Sequence, residues 1–163
     1  MTAACPHSRV VEQLPTAAVS LAVDAALTHL VTIGERVTAP RRRVLELLLA
    51  SGEPVKAYDL IAAFHANKRL AKPATVYRAL AFLERVGLVH RLLSLKSYVA
   101  CKLGTAAHTA AFVICDCCSS CREIISPDAA LLTGTANALG YSIDRVTLEV
   151  VGKCPACRVT IGG

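Results

Sequence analysis

A chain of 163 residues with 54% hydrophobic residues can enclose one ordinary core or two small ones, and no run of eighteen uncharged apolar residues offers a membrane span. Its net charge of +6 is unevenly spread. From Arg36 to Arg91 eleven Lys and Arg stand against Glu46, Glu53, Asp59 and Glu84, so that stretch holds +7 and the remainder −1. A basic segment beside a near-neutral one suits a nucleic-acid-binding unit joined to something else, and a solvated basic face would have the same composition. Met1–His7 has no basic and then apolar leader, so a cytoplasmic address is expected. There, eight cysteines point to metal or redox chemistry rather than a disulfide framework.

Pro6 and Pro15 argue against a continuous helix at the start, and residues 1–18 are expected to form a disordered tail. From Val19 to Ile33, Leu21, Ala25 and Leu30 suit one face of an amphipathic helix closed by Gly34. A second helix is predicted after Thr38, a suitable N-cap, with Pro40 in its first turn. Val44, Leu45, Leu48 and Leu49 form its apolar face, and Ser51-Gly52 ends it. Ala57–Ala66 reads as a third helix with Leu60, Ile61 and Phe64 inward. A fourth begins at Lys72-Pro73-Ala74-Thr75, repeats apolar residues at Val76, Leu80 and Leu83, and stops at Gly87.

Beyond Gly87 the pattern becomes that of strands. Leu88–Leu92 and Ser97–Cys101 are two short ones joined by Ser94-Leu95-Lys96. Three helices and a β-hairpin are the layout of a winged helix-turn-helix, or of a small α+β unit with no DNA role. A short connection to His108 is expected to be a hinge. Ala110–Cys115 and Arg122–Ile125 read as strands, and Pro127–Leu139 as a helix closed by Gly140. The alternating run Tyr141–Val150 reads as a strand with one buried face. The expected fold class is α+β, with a winged helix over residues 19–101, a hinge at 102–108 and an α/β domain over 109–163.

Two CxxC pairs, Cys115-Asp-Cys-Cys118 and Cys154-Pro-Ala-Cys157, stand 39 residues apart. Zinc takes four ligands in a tetrahedron, and one CxxC turn sets two sulfurs on a single ion. Two turns close the shell and leave no position for substrate, which marks a structural site. Cys118-Ser-Ser-Cys121 is also a CxxC, so spacing leaves the first half-site open between Cys115/Cys118 and Cys118/Cys121. A redox CxxC would be expected within a βαβ setting, which does not surround these cysteines.

Lys72-Pro-Ala-Thr-Val-Tyr-Arg-Ala-Leu80 followed by Gly87-Leu-Val-His90 resembles the recognition helix and wing of the ferric uptake regulator family. Ala57-Tyr-Asp-Leu60, Ser97-Tyr-Val-Ala-Cys101 and the run from His108 to Cys118 are similar to that family's zinc uptake regulator branch. The likeness extends from about Thr38 to Cys157. It implies a homodimer whose winged helices bind double-stranded DNA at a palindromic operator and whose C-terminal α/β domain is the dimerisation domain. It implies structural zinc on Cys115, Cys118, Cys154 and Cys157, and a second, regulatory zinc on His90, Cys101, His108 and Glu123, two zinc ions per subunit.

The second quartet also makes chemical sense. His90 and Cys101 fall on the wing strands, His108 on the hinge and Glu123 in the second domain, so one ion held by all four would fix the angle between reader and dimer. Mixed nitrogen, sulfur and oxygen ligands suit zinc. Iron-sensing relatives carry a His-rich cluster before the first CxxC, whereas here only His108 stands there, followed by Thr109-Ala110-Ala111. Cys5-Pro6-His7 is a weaker candidate for a third metal site.

In a helix-turn-helix the first residues of the recognition helix meet base edges, here Thr75, Val76, Tyr77 and Arg78. Val76 belongs to the apolar row, while Arg78 lies off it and can pair with guanine. The resemblance supports Tyr58 and Arg78 as base readers. Lys56, Lys68, Arg69, Lys72 and Tyr77 are expected at phosphates, with Arg41, Arg42 and Arg43 as further candidates. An enzyme is not expected: there is no HExxH, and Cys154-Pro155 inverts the order of the deaminase PCxxC. The expected function is zinc-dependent repression of zinc-uptake genes, with no small-molecule substrate. An iron or peroxide sensor on the same scaffold, or a zinc buffer that binds no DNA, are the alternatives.

Overall fold

The computed structural model describes residues 14–65, 72–102, 109–125, 129–143 and 146–159. The chain divides into two compact units, one spanning Val11–Ala106 and the other built on Ala107–Gly163. The predicted tail up to residue 13, Lys68, Arg69 and the hinge from 103 to 108 lie outside the described residues.

The first unit consists of α1 (Thr16–Thr32), α2 (Ala39–Ser51), α3 (Ala57–His65) and α4 (Pro73–Arg85), followed by β1 (Val89–Leu92) and β2 (Ser97–Ala100). Proline at the start of α2 and of α4 supplies a fixed φ where no intrahelical N–H is needed. Thr38 occupies the α2 N-cap position, but its side chain makes no capping bond. Gly52 ends α2 at φ 64° and Gly87 follows α4 at φ 76°, left-handed conformations that a Cβ would strain. Val44, Leu45, Leu48 and Leu49 of α2 meet Val76, Ala79, Leu80, Phe82 and Leu83 of α4 in one core, with Leu60 of α3 and Val89 and Ala100 of the hairpin. Burying each valine, leucine or phenylalanine of this set contributes roughly 1.5–3 kcal/mol.

β1 and β2 pair antiparallel, His90 opposite Val99 and Arg91 opposite Tyr98. Three helices and this hairpin make a winged helix. The linker between α2 and α3 joins the hairpin as well: Val55 and Tyr98 exchange two backbone hydrogen bonds of 2.8 Å.

α1 corrects the expected face. Val23, Ala26 and Leu30 are buried, whereas Leu21 is 72% exposed and Ala25 is exposed too. The helix is apolar almost all round, so apolar spacing alone does not orient it. Asp24 and Thr28 lie on the same side as Leu21 and Ala25, and the cost of burying Asp24 turns that side to water.

The second unit holds β3 (Ala110–Cys115), β4 (Cys121–Ile125), α5 (Ala129–Ala138), β5 (Thr147–Gly152) and the short α6 (Pro155–Val159), which the sequence reading lacks. The sheet order is β4-β3-β5, with β4 antiparallel and β5 parallel to β3. Ala110, Ala111, Phe112 and Ile114 of the central strand are buried. The predicted strand Tyr141–Val150 is displaced. Residues 141–143 are outside any strand, β5 starts at Thr147, and no face of it is buried within this chain. Its limits are set by the ladder to β3, from Ala110 opposite Thr147 to Cys115 opposite Gly152, rather than by alternation.

Candidate metal centres and nucleic-acid interface

The β3–β4 connection is a tight knuckle. Ser119 N–H donates to Cys115 O at 2.9 Å, Cys115 N–H to Ser120 O at 2.9 Å, and Ser119 adopts φ 57°. Cys115 and Cys118 thereby flank one turn. β5 delivers the second pair alongside: Asp116 N–H donates to Gly152 O at 2.8 Å and Lys153 Nζ to Asp116 Oδ1 at 2.9 Å. Cys154 then opens α6, whose Cys157 N–H donates back to Cys154 O at 3.0 Å.

The sulfurs of Cys115, Cys118, Cys154 and Cys157 all lie within 4.8 Å of one another, and Cys118 Sγ is 3.8 Å from Cys154 Sγ. A tetrahedron with four Zn–S bonds of about 2.3 Å has an edge of about 3.8 Å, so the cage has the dimensions of zinc. Cys115 and Cys157 are buried, Cys118 and Cys154 half-buried. Cys121, the other candidate of the first half-site, sits on β4 opposite Ile114. None of the seven described cysteines forms a disulfide.

Burial pushes the Cys115 thiol up, but backbone N–H groups of Cys118, Cys154 and Cys117 and the Cys118 thiol outweigh burial and lower it from 9.0 to about 6. The Cys154 N–H lies 3.3 Å from Cys115 Sγ. The cage thus favours a thiolate, the form that binds metal. A group with a depressed folded pKa stabilises the fold fully above its unfolded value and loses that contribution as pH falls toward the folded one. Bound zinc would keep the thiolates ionised to lower pH still, so the urea midpoint of the zinc-loaded second unit is expected to fall as pH drops from 9 to 6. A midpoint that stays flat or rises over that window would contradict a Cys115 thiolate.

The second set of ligand candidates is distributed over both units. In the first, His90 lies on β1 and is 6% exposed, and Cys101 follows β2, its N–H donating to Leu88 O at 3.0 Å. Their ligand atoms lie within 4.8 Å of each other, so the hairpin offers an imidazole and a thiol to one ion. In the second, Glu123 is half-buried on β4 opposite Phe112. His108 and Cys5-Pro6-His7 lie outside the described residues.

The DNA-reading candidates occupy the outer side of α3 and α4. Val76, Ala79, Leu80 and Leu83 turn inward, which leaves Ala74, Tyr77, Arg78, Ala81 and Arg85 exposed. Arg78 Nε donates to Ala74 O at 3.3 Å, which holds the side-chain stem along the first turn. Tyr58 is 79% exposed, Tyr77 is 50% exposed, Lys56 and Lys72 are exposed, and Thr75 is half-buried. Arg41, Arg42 and Arg43 each make a contact within the first unit. Arg41 lies over the Phe82 ring at 3.2 Å, Arg42 pairs with Glu46 and Asp24, and Arg43 with Glu46. The sequence reading missed the Val55–Tyr98 bridge and the bond from Lys102 Nζ to Gly52 O at 3.0 Å. Neither has a signature in residue spacing.

A winged helix with an aromatic and basic outer face, followed by a unit closed by four thiols, defines a metal-binding protein of the winged-helix class. The chain belongs to the ferric uptake regulator family, whose model matches residues 32–151. It is 37% identical over 124 residues to the zinc uptake regulation protein of Escherichia coli (strain K12), covering 75% of this chain and 72% of that one. Among solved structures it is similar to a zinc uptake regulator complexed with zinc and DNA, at 31% identity and a TM-score of 0.79, over 89% of this chain and 98% of that one. Holo XcZur is similar at 38% identity and a TM-score of 0.73, over 89% and 99%. No helix among the described residues is long and apolar enough to cross a membrane.

Proposed function

We infer that this chain is a zinc-responsive transcriptional repressor. It binds palindromic operators of zinc-uptake genes when loaded with zinc and releases them when zinc is scarce. The observation that carries this reading is the pairing of two kinds of metal chemistry: a closed four-thiol cage in one unit, and a His90–Cys101 pair on the wing of a DNA-reading unit. Likeness to a regulator complexed with zinc and DNA gives it direction.

In this reading each subunit holds two zinc ions. Cys115, Cys118, Cys154 and Cys157 hold the structural one, and His90, Cys101, His108 and Glu123 the regulatory one. The regulatory ion favours the arrangement in which two recognition helices meet successive major grooves, roughly 34 Å apart. Without it that arrangement is only partly populated, and DNA affinity falls by the same fraction. The working form is a cytoplasmic homodimer without catalytic activity. Dimerisation through the second unit is supported by its exposed apolar side chains, among them Ile125, Leu131, Leu139, Tyr141, Val150 and Val151, more than so small a unit leaves to water. The test is zinc content and DNA affinity measured across buffered free-zinc concentrations. DNA affinity independent of free zinc would overturn the reading.

Arg78 and Lys72 separate base reading from phosphate contact. Arg78→Ala is expected to cost about 1–3 kcal/mol of operator binding and to relax discrimination at one base position. Lys72→Ala is expected to weaken all sequences alike and to reduce the salt dependence by about one phosphate contact. Binding of single-base operator variants at several salt concentrations measures both.

A further inference from the structure

We propose that Lys102 is a positioning residue that transmits zinc binding at the wing to the DNA-reading helix α3. The inference deepens the zinc-responsive reading and rests on it. Lys102 directly follows Cys101, and its ammonium reaches across to the carbonyl of Gly52, the C-cap of α2, at 3.0 Å. A cation at that end of a helix meets the negative end of its dipole and a terminal carbonyl without an intrahelical donor.

Three residues further on, Val55 is held to Tyr98 of β2 by the two 2.8 Å backbone bonds. The linker from α2 to α3 is therefore tied at both ends to a single strand and its continuation, the one that carries Cys101. Lys56 and Tyr58 emerge directly from the second tie, and Leu60 N–H donates to Lys56 O at 3.1 Å to start α3. On the other side, Cys101 N–H donates to Leu88 O, and Leu88 N–H to Leu83 O of α4, both at 3.0 Å. Cys101 thus stands where backbone and side-chain bonds run to both DNA-reading helices. The α4 branch is backbone alone and would survive any side-chain change. The α3 branch has a backbone tie at Val55 and a side-chain tie through one exposed lysine, and the lysine tie is the one that can be cut without touching a ligand or the core.

An exposed, charge-assisted bond of this kind is worth little to overall stability. Its value lies in coupling. When zinc draws Cys101 toward His90, the strand continuation stops moving, and Lys102 passes that restraint to Gly52 and so to the start of α3.

The experiment compares wild type, Lys102→Met and Lys102→Arg. DNA affinity is measured zinc-free and zinc-loaded, on the duplex selected from a random-sequence pool by zinc-loaded wild-type protein. Zinc content and thermal midpoint are recorded alongside. Lys102→Met is expected to reduce the zinc-dependent gain in affinity by roughly threefold to tenfold, within the range by which single substitutions modulate a coupling between sites. Zinc content, thermal midpoint and zinc-free affinity should stay at wild-type values, and Lys102→Arg should restore most of the gain. An unchanged gain in Lys102→Met overturns the proposal. An equal loss of zinc-free and zinc-loaded affinity also overturns it, by making Lys102 a phosphate contact, as does a loss of bound zinc, by making it a support of the metal site. A wild-type protein with no zinc-dependent gain overturns the zinc-responsive reading itself, an outcome distinct from the other three.

Discussion

Replacing Cys101 by Ser is expected to leave a folded dimer that keeps one zinc per subunit and binds DNA equally weakly at every free-zinc concentration. The thiolate is the one soft, anionic sulfur of the proposed regulatory quartet, and a serine hydroxyl is neither ionised near neutral pH nor soft. Cys101 is half-buried beyond the end of β2, and its structural bond to Leu88 uses its backbone N–H, which serine retains. The fold therefore survives and the response does not. Losing a response that spans 1:99 to 99:1 corresponds to about 5.5 kcal/mol of differential binding. Fluorescence anisotropy on operator DNA in zinc buffers, with metal content by elemental analysis, reads both halves of the result. Zinc-dependent binding that persists in Cys101→Ser would remove Cys101 from the sensor.

Cys154→Ser should do the reverse, costing the second unit its structure and the dimer its interface. Cys154 supplies a sulfur of the cage; serine keeps the backbone bonds at this position, from its N–H to Cys115 Sγ and from Cys157 and Arg158 to its carbonyl, but leaves three thiols where four close the shell. Zinc held by such sites carries an apparent binding free energy of about 10–16 kcal/mol in small zinc domains, and where no preformed site exists in the unfolded chain that energy is folding energy. The buried apolar set of β3 is small, so little else replaces it. A shift from dimer to monomer or aggregate in sedimentation, with loss of one zinc equivalent, is the expected reading. A stable dimer holding full zinc would show that the four thiols are not a structural site.

Helices α2 and α4 were legible because each carries one apolar stripe bounded by proline at the start and glycine at or just beyond the end, and α3 through its apolar residues Leu60, Ile61 and Phe64 alone. α1 was legible as a helix but not in its rotation, since valine, leucine and alanine surround it and only Asp24 and Thr28 mark the wet side. The second unit was legible in β3 and in the chemistry of its cysteines. It was less so in β5, where alternation begins at Tyr141 but the ladder to β3 begins only at Thr147. Side chains reaching over long separations left no trace in the sequence: 50 residues separate Lys102 from Gly52, and nothing at either position advertises the other. Assigning roles to His90, Cys101, His108 and Glu123 came from likeness to a family, because a histidine on a strand or a cysteine at its end has no distinctive local pattern.

The four-thiol cage also has a consequence for how many copies of such a protein a cell can keep. A site that folds the chain fills before the weaker site proposed to report, so every subunit withdraws one ion from the supply it is meant to gauge. The withdrawal grows with the number of subunits and is largest, as a share of what remains, when zinc is scarce. A gauge of this construction stays accurate only while its own holding is small beside the pool it measures. Low abundance is then a requirement set by the metal stoichiometry of the fold.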